Sequence, residues 1–402
     1  MADALAYLRS SAAVRARAHR LLSAAERDEL AHFAVDDARL APLADYVIET
    51  IRARYPKLDV PYHSRWRHFE AGGVDRWAEL RARLKGADAI ARARFDLVIP
   101  SVLLDAGAGP SWSYRDANGG VHARSEGLGV ATLRMFAGGL FSADPGNPLR
   151  ADAARLEALE DLDLAHGFQA GPDNLLTGLP GRADLMRRLG AAVRERPELF
   201  PGGRVGGLFD AVRSLAPGGA IAAPAILELV LEALGPIWPG RIELDGVNLG
   251  DVWRHRAMRT GDATDGLVPF HKLSQWLTYS LVEPQAEAGI AVGDLDGLTG
   301  LAEYRNGGLF IDGGVLRFKD ARAAAKSHAV DSELVVEWRA LTVALLDRVA
   351  DEIRAKLKLD AKSLPLAKVL EGGTWAAGRR LAAEKRAGGA PLIRVTSDGT
   401  VF

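Results

Sequence analysis

The sequence predicts a mainly α-helical protein with a few short β-hairpins. Apolar residues recur at spacings of three and four along most of the chain, while strand-like alternation is confined to short runs beside Asn-Gly or Asp-Gly pairs. Nothing repeats at a solenoid or propeller period. With 402 residues, 48% hydrophobic and 26% charged, the chain lies in the globular range and above the usual size of a single core. The expectation is one large helical unit over 1–402, or two closely packed lobes of about 1–150 and 151–402. The Pro/Gly-rich stretches at 143–148, 171–182, 201–207 and 215–225 are too short and too apolar to be tethers.

Taken in order, residues 2–57 place Leu5, Leu8, Val14, His19, Leu22, Leu30 and Phe33 at helical spacing, which predicts two or three helices. Further helices are expected at about 74–104, 125–141, 151–165, 181–194, 221–234, 268–288 and 331–358. The last carries a charged outer face along ELVVEWRALTVALLDRVADEIRAKL. WSYRDANGGVHAR turns at Asn118-Gly119 and GGLFIDGGVLRF at Asp312-Gly313, so both read as hairpins, and PLIRVTSDGTVF reads as a third. The Gly307-Gly308 pair is expected to end any helix after Arg305.

Lys+Arg 51 against Asp+Glu 52 leaves a net charge of -1, which gives no global attraction to nucleic acid or anionic lipid. A small-molecule partner is expected, with no nucleic acid and no membrane; oligomeric state is not legible. The absence of cysteine excludes disulfides, thiolate metal sites and a cysteine nucleophile. It suits a reducing, cytoplasmic setting. The Arg-rich, acid-poor start MADALAYLRSSAAVRARAHRLL fits either an organellar targeting peptide or an ordinary amphipathic helix, and its periodicity favours the helix. No stretch approaches the roughly 20 apolar residues of a membrane span.

Motifs for nucleotide-loop, zinc-protease and serine-hydrolase chemistry are missing. His63 and His68 in HSRWRH are flanked by Arg65 and Arg67, whose charge opposes a divalent cation, so capping or packing competes with any metal role. DAGAGPSW, from Asp105 to Trp112, fits a close backbone approach to a ligand or a plain turn. LTGLPGRADLMRRLG has the form of a helix-hairpin-helix turn, whose second helix could receive a phosphate on its N-terminal amides, or of a simple Pro-Gly turn. In PFHKLSQWLTYSLVEP, Lys272 can anchor an anion or snorkel. Glu303, before Tyr304 and Arg305, can be a general base or half of a surface ion pair.

The segments FDLVIPSVLLDAGAGPSWSY, RSEGLGVATLRMF, GVNLGDVW, LVPFHKLSQWLTYSLVEP and LTGLAEYRNGGLFIDGGVL together resemble the Urc-type uracil-catabolism family, along the line of its fourth pathway protein, a domain-of-unknown-function family. The resemblance covers essentially the whole chain. More distantly, FHKLSQWLTYSL followed by DLDGLTGLAEYR is similar to paired motifs of the queuosine-phosphate N-glycosylases, and VVEWRALTV to a Glu-Ile-Arg segment of theirs. Those enzymes look like helix-hairpin-helix DNA glycosylases, so the resemblance implies a glycosylase-like all-α body.

Carried over residue by residue, Lys272 stands at that family's helix lysine, Glu303 at its downstream acid and Arg305 at the following arginine. Two departures stand out. Glu303 replaces an aspartate, and Asn306-Gly307-Gly308 replaces Val-Pro-Gln, which changes the base pocket.

The resemblance implies a hydrolase of uracil (pyrimidine) catabolism that releases urea from a ribosylurea, with or without a 5′-phosphate, by cleaving the N-glycosidic bond. That chemistry needs no metal and no redox cofactor. Glu303 is the expected catalytic acid or base, Arg305 orients it, and Lys272 holds the phosphate. Asp251, Trp253, Trp112, Glu126 and Tyr304 are candidate pocket residues, although each also suits core packing or a helix cap. A nucleic-acid or nucleotide-binding module, an amidohydrolase acting on a ureido intermediate, and a non-catalytic scaffold remain the alternative readings.

Overall fold

A computed structural model describes residues 2–396. Helix takes 56% of it and strand 10%, with strands only in short pairs. The protein is therefore mainly α with small strand pairs. Its residues group into two compact units, neither a single stretch of sequence. One draws on 2–63, 240–275 and 294–396, the other on 64–239 and 276–293. Residue 150, where the sequence suggests a lobe boundary, lies inside the second unit.

The first unit is organised by the 25-residue helix Glu333–Leu357, whose residues from Leu334 to Leu346 are all buried. Its apolar side chains recur on every face, which makes it a central helix rather than an amphipathic surface one. The Ser11–Glu26 and Leu40–Arg54 helices pack on it, as does the Tyr304–Asp312 helix, which also meets Trp375–Lys385. Four two-stranded pairs trim the unit, among them Val252–Arg254 with Leu267–Pro269. In the second unit the Ala87–Leu103 helix is buried without a break from Ala93 through Leu103. Around it lie Arg124–Ala137, Leu179–Glu195 and the short Leu208–Ser214 helix.

Helices stand where they are expected, although the runs at 74–104 and 151–165 each hold two, Arg76–Arg81 with Ala87–Leu103 and Ala153–Glu157 with Asp161–Gly167; Ser113–Arg115 pairs antiparallel with Val121–Ala123 about Asn118-Gly119 as expected. Three expectations fail. The first N-terminal helix pair ends at Glu26, and Phe33, expected on a helix, begins a strand. That strand pairs with Leu316–Phe318, so the expected hairpin about Asp312-Gly313 does not form.

Instead the chain from Tyr304 to Asp312 is helical, running straight through Gly307-Gly308. Packing explains the glycine: a Cβ on Gly307 would sit 2.5 Å from the Trp338 ring. Gly307 is there for close helix contact, and the turn comes at Gly314, whose φ is +79. The third expected hairpin contributes Arg394–Thr396, which runs parallel to Ser327–Ala329; its remaining residues lie outside those described. Among the described residues no helix is long and apolar enough to cross a membrane.

Candidate functional site

The Glu303 corner is built by its neighbours in the chain. Gln275 reads the incoming segment with its amide: Oε1 accepts from the Thr299 N–H at 2.8 Å and Nε2 donates to the Thr299 hydroxyl at 2.8 Å. Glu303 then caps the Tyr304–Asp312 helix, with Oε2 accepting from the Arg305 N–H at 2.7 Å and Oε1 from the Asn306 N–H. A carboxylate at a helix start gains from the unpaired N–H groups there. Glu303 is buried and makes no salt bridge among the described residues. Burial pushes its carboxyl above the usual glutamate range; the two N–H groups and the charges of Lys272 and His63 pull it back only in part.

Arg305 orients Glu303 through its main chain, not its side chain. The guanidinium turns elsewhere, donating to the Gly389 carbonyl at 2.8 Å and lying 4.8 Å from the Tyr304 ring centroid. Tyr304 is half-buried under that stack. The expectation that the arginine head group holds the acid is therefore corrected.

Asp251 and Trp253 support the site instead of lining it. Both Asp251 oxygens take Arg339, Oδ1 from Nη1 and Oδ2 from Nη2, each at 2.8 Å. Oδ1 also accepts from the Trp253 indole at 2.6 Å, and Oδ2 from the Lys272 N–H at 2.9 Å. Four donors fill the four acceptor positions of a carboxylate. None is left for a sugar hydroxyl without breaking one of these bonds. Burial raises the Asp251 carboxyl, but the Arg339 charge and these hydrogen bonds outweigh it and hold the group well below the usual carboxylate range.

Arg339 also donates to the Ala302 carbonyl at 3.4 Å and lies 4.1 Å from the Phe270 ring centroid, so one guanidinium ties the start of the Lys272–Glu287 helix to the Glu303 corner. Just before that helix, His271 sits at a left-handed φ of +47, buried, with Nε2 2.7 Å from the Leu8 carbonyl. The strained residue sets where half-buried Lys272 begins.

Sequence reading missed a buried pair in the same unit. His63 Nδ1 lies 2.8 Å from Glu371 Oε2, across 308 positions of chain. Glu371 belongs to a π-helical turn, Val369–Thr374. Its Gly372-Gly373 step admits close neighbours, because a Cβ would lie 2.7 Å from Val60 and 2.8 Å from Val47 respectively. Single π-turns are rare and cluster at functional sites, so the EGGT run was the available signal. His63 and His68, five positions apart in sequence, belong to different units; His68 Nδ1 lies 2.9 Å from the Arg65 guanidinium. Among the described residues no cluster of three or more His, Asp or Glu side chains could hold a metal ion.

Trp112 and Glu126 belong to the second unit. Trp112 is core, its indole donating to the Phe168 carbonyl at 3.0 Å and its ring edge-on to Phe168. Glu126 lies near the fully buried Arg65, which ion-pairs with Asp105 and donates to Ser101 at 2.8 Å. The DAGAG loop is pinned by buried Arg182, which donates to the carbonyls of Leu104, Ala106 and Gly107. The Leu179–Glu195 helix starts one residue before Pro180, with Gly178 in the left-handed region, so the Leu-Pro-Gly run lies within its first turn.

The chain matches the family described as "Protein of unknown function (DUF1688)" over residues 7–402, and it belongs to that family. It is 39% identical over 414 residues to "Protein urg3" of Schizosaccharomyces pombe, covering 100% of this chain and 99% of that protein. It is 35% identical over 437 residues to "Uracil catabolism protein 4" of Lachancea kluyveri, covering 99% of each.

Proposed function

We propose that this protein acts in uracil catabolism, as the name of its Lachancea kluyveri relative suggests, and that it hydrolyses the N-glycosidic bond of a ribosylurea. The observation that carries the reading is Glu303: a buried carboxylate, held by two main-chain N–H groups, without a cationic side chain bound to it among the described residues, and under the influence of Lys272. Cleavage of a C–N glycosidic bond develops positive charge at the anomeric carbon. A preorganised carboxylate in a desolvated setting stabilises that charge strongly, and it can then take a proton from the attacking water.

In this reading Lys272 holds the 5′-phosphate. Asp251, Arg339 and Gln275 fix the segments that present Lys272 and Glu303. Support comes from the order of the FHKLSQW and LAEYR motifs and from the electrostatic coupling of the lysine and acid they carry. Incubating the protein with ribosylurea and with its 5′-phosphate, and following urea and free sugar by NMR, tests the reaction. Urea from the phosphate alone supports both the reaction and the Lys272 anchor. Urea from both keeps the reaction and removes the anchor. If neither yields urea while the protein is folded, the reading falls.

A further inference from the structure

Resting on the hydrolysis proposed above, we infer that Asn306 selects the leaving group: its side-chain oxygen accepts an N–H of the ureido group that departs from the sugar. Asn306 stands three residues after Glu303, so the two side chains leave the start of the Tyr304–Asp312 helix on the same side. They are in direct contact, because the Asn306 N–H donates to Glu303 Oε1. The asparagine is 0% exposed, and its Oδ1 has no hydrogen-bond partner among the described residues.

The other end of the amide fixes its orientation. Nδ2 donates to the Leu301 carbonyl at 3.3 Å, which also takes the Glu303 N–H at 2.9 Å. Turning the amide over would set two acceptors face to face there. Oδ1 therefore points away from Leu301 as an acceptor without a donor. Enclosing such a group destabilises the fold, whereas a leucine of similar size would fill the space without that penalty. Most enclosed side-chain polar atoms are paired. An amide kept unpaired beside the reactive carboxylate suits a ligand that brings its own N–H.

A second enclosed polar atom supports the same reading. Thr374 is also 0% exposed, and its hydroxyl has no hydrogen-bond partner among the described residues. It lies one turn before Gly378, where the missing Cβ makes room for the Arg305 carbonyl. Residues four apart share a helix face, so Thr374 is on the side that packs against the turn bearing Asn306. The two atoms offer an acceptor oxygen and a hydroxyl able to donate. A ureido group is the complement, with N–H donors on both nitrogens and one carbonyl oxygen.

The test compares two substrates in the wild type and in Asn306→Leu. One is ribosylurea, or its 5′-phosphate if that is the form turned over. The other is the N-ribosylacetamide of the same form, which carries a methyl group where the urea has its distal amino group. Urea, acetamide and free sugar are followed by NMR, with thermal melts as the folding control. The two leaving groups differ in intrinsic reactivity, so the quantity read is the change in preference between proteins. Asn306→Leu should reduce the kcat/KM preference for the urea by about 100-fold, with most of the loss on the urea substrate. It should melt no lower than wild type, since an unpaired acceptor gives way to an apolar group and the Leu301 carbonyl keeps the Glu303 N–H. Asn306→Ala should show the same loss of preference, which covers the case of a leucine that fits badly.

An equal loss on both substrates in folded variants would mark a structural role and overturn the assignment. So would a preference unchanged from wild type. If the wild type releases no urea, the hydrolysis itself has failed and the assignment goes with it. If the wild type releases urea and both variants keep its preference, only the role of Asn306 falls.

Discussion

Asp251 and Glu303 are two enclosed carboxylates in the same unit, each at the start of a helix and each accepting main-chain N–H groups. Asp251 has in addition a bidentate arginine and an indole donor, whereas Glu303 has no charged side chain bound to it among the described residues. The consequence is opposite protonation behaviour: Asp251 is held well below the ordinary carboxylate range and Glu303 is pushed above it. Groups whose surroundings drive their pKa values apart divide into scaffold and reactant. A carboxylate with all its acceptor positions filled supports its neighbours. One with only N–H caps keeps capacity for charge that arrives with a substrate.

The largest effect expected from breaking this comparison is on the scaffold side. Asp251→Ala takes from the Arg339 guanidinium, 1% exposed, the carboxylate it ion-pairs with, which should cost about 3–5 kcal/mol of unfolding free energy in urea denaturation. A loss below about 1 kcal/mol would show that Arg339 finds another partner and that Asp251 is dispensable. Glu303→Gln should behave in reverse. Turnover should drop by about 100-fold or more, equivalent to roughly 2.7 kcal/mol of barrier, while the protein stays folded because the amide oxygen still accepts one of the two N–H groups at the helix start. Substantial turnover by a well-folded Glu303→Gln protein would end its catalytic assignment.

Titration sharpens the contrast further. A raised carboxyl stabilises the fold below its unfolded pKa, and that contribution is lost as pH rises through the folded value. Wild type should therefore lose melting temperature relative to Glu303→Gln as pH climbs from about 4.3, the free glutamate value. Asp251 has the opposite sign. Its depressed pKa gives stability present above about 3.9 and lost as pH falls, so the gap between wild type and Asp251→Ala should close in acid. Turnover should also decline on its acid side at a pH above the ordinary glutamate range; a decline at or below that range would contradict the burial of Glu303. The smallest effect is expected from Lys272→Met, about a tenfold rise in KM for the phosphorylated substrate, with no comparable rise for unphosphorylated ribosylurea.

The helices were legible because each satisfies a local rule: the run from Glu333 to Leu357 has apolar residues at helical spacing and ends with basic residues in its last turn. Lys272 and Glu303 were singled out together only by the resemblance to paired family motifs; spacing by itself suited a surface ion pair at Glu303 equally. Gly307-Gly308 misled, because two glycines signal a turn by local propensity and only Trp338, 31 positions later, reveals that the first is needed for packing. Arg305 was assigned by its motif position, which does not distinguish side chain from main chain; it is the backbone N–H that bonds Glu303. Asp251 with Arg339, and His63 with Glu371, lie 88 and 308 positions apart. No periodicity in the sequence marks partners so distant.

The separation of His63 from Glu371 also has a consequence in time. A ribosome extending the chain at about 5–20 residues per second needs roughly 15–60 s to go from one to the other across 308 positions. Residues 64–239 and 276–293 have all emerged before that interval ends, while the segment before them still lacks the Glu333–Leu357 helix on which it packs. The apolar stripe of Val14, Ala18, Leu21 and Leu22, buried in the finished protein, thus stays uncovered for most of synthesis. Chains stopped before residue 371 carry His63 without its carboxylate, and those stopped before Glu333 also keep an open stripe that invites chaperone binding or aggregation, so the topology that joins this buried pair late withholds it from those shorter copies.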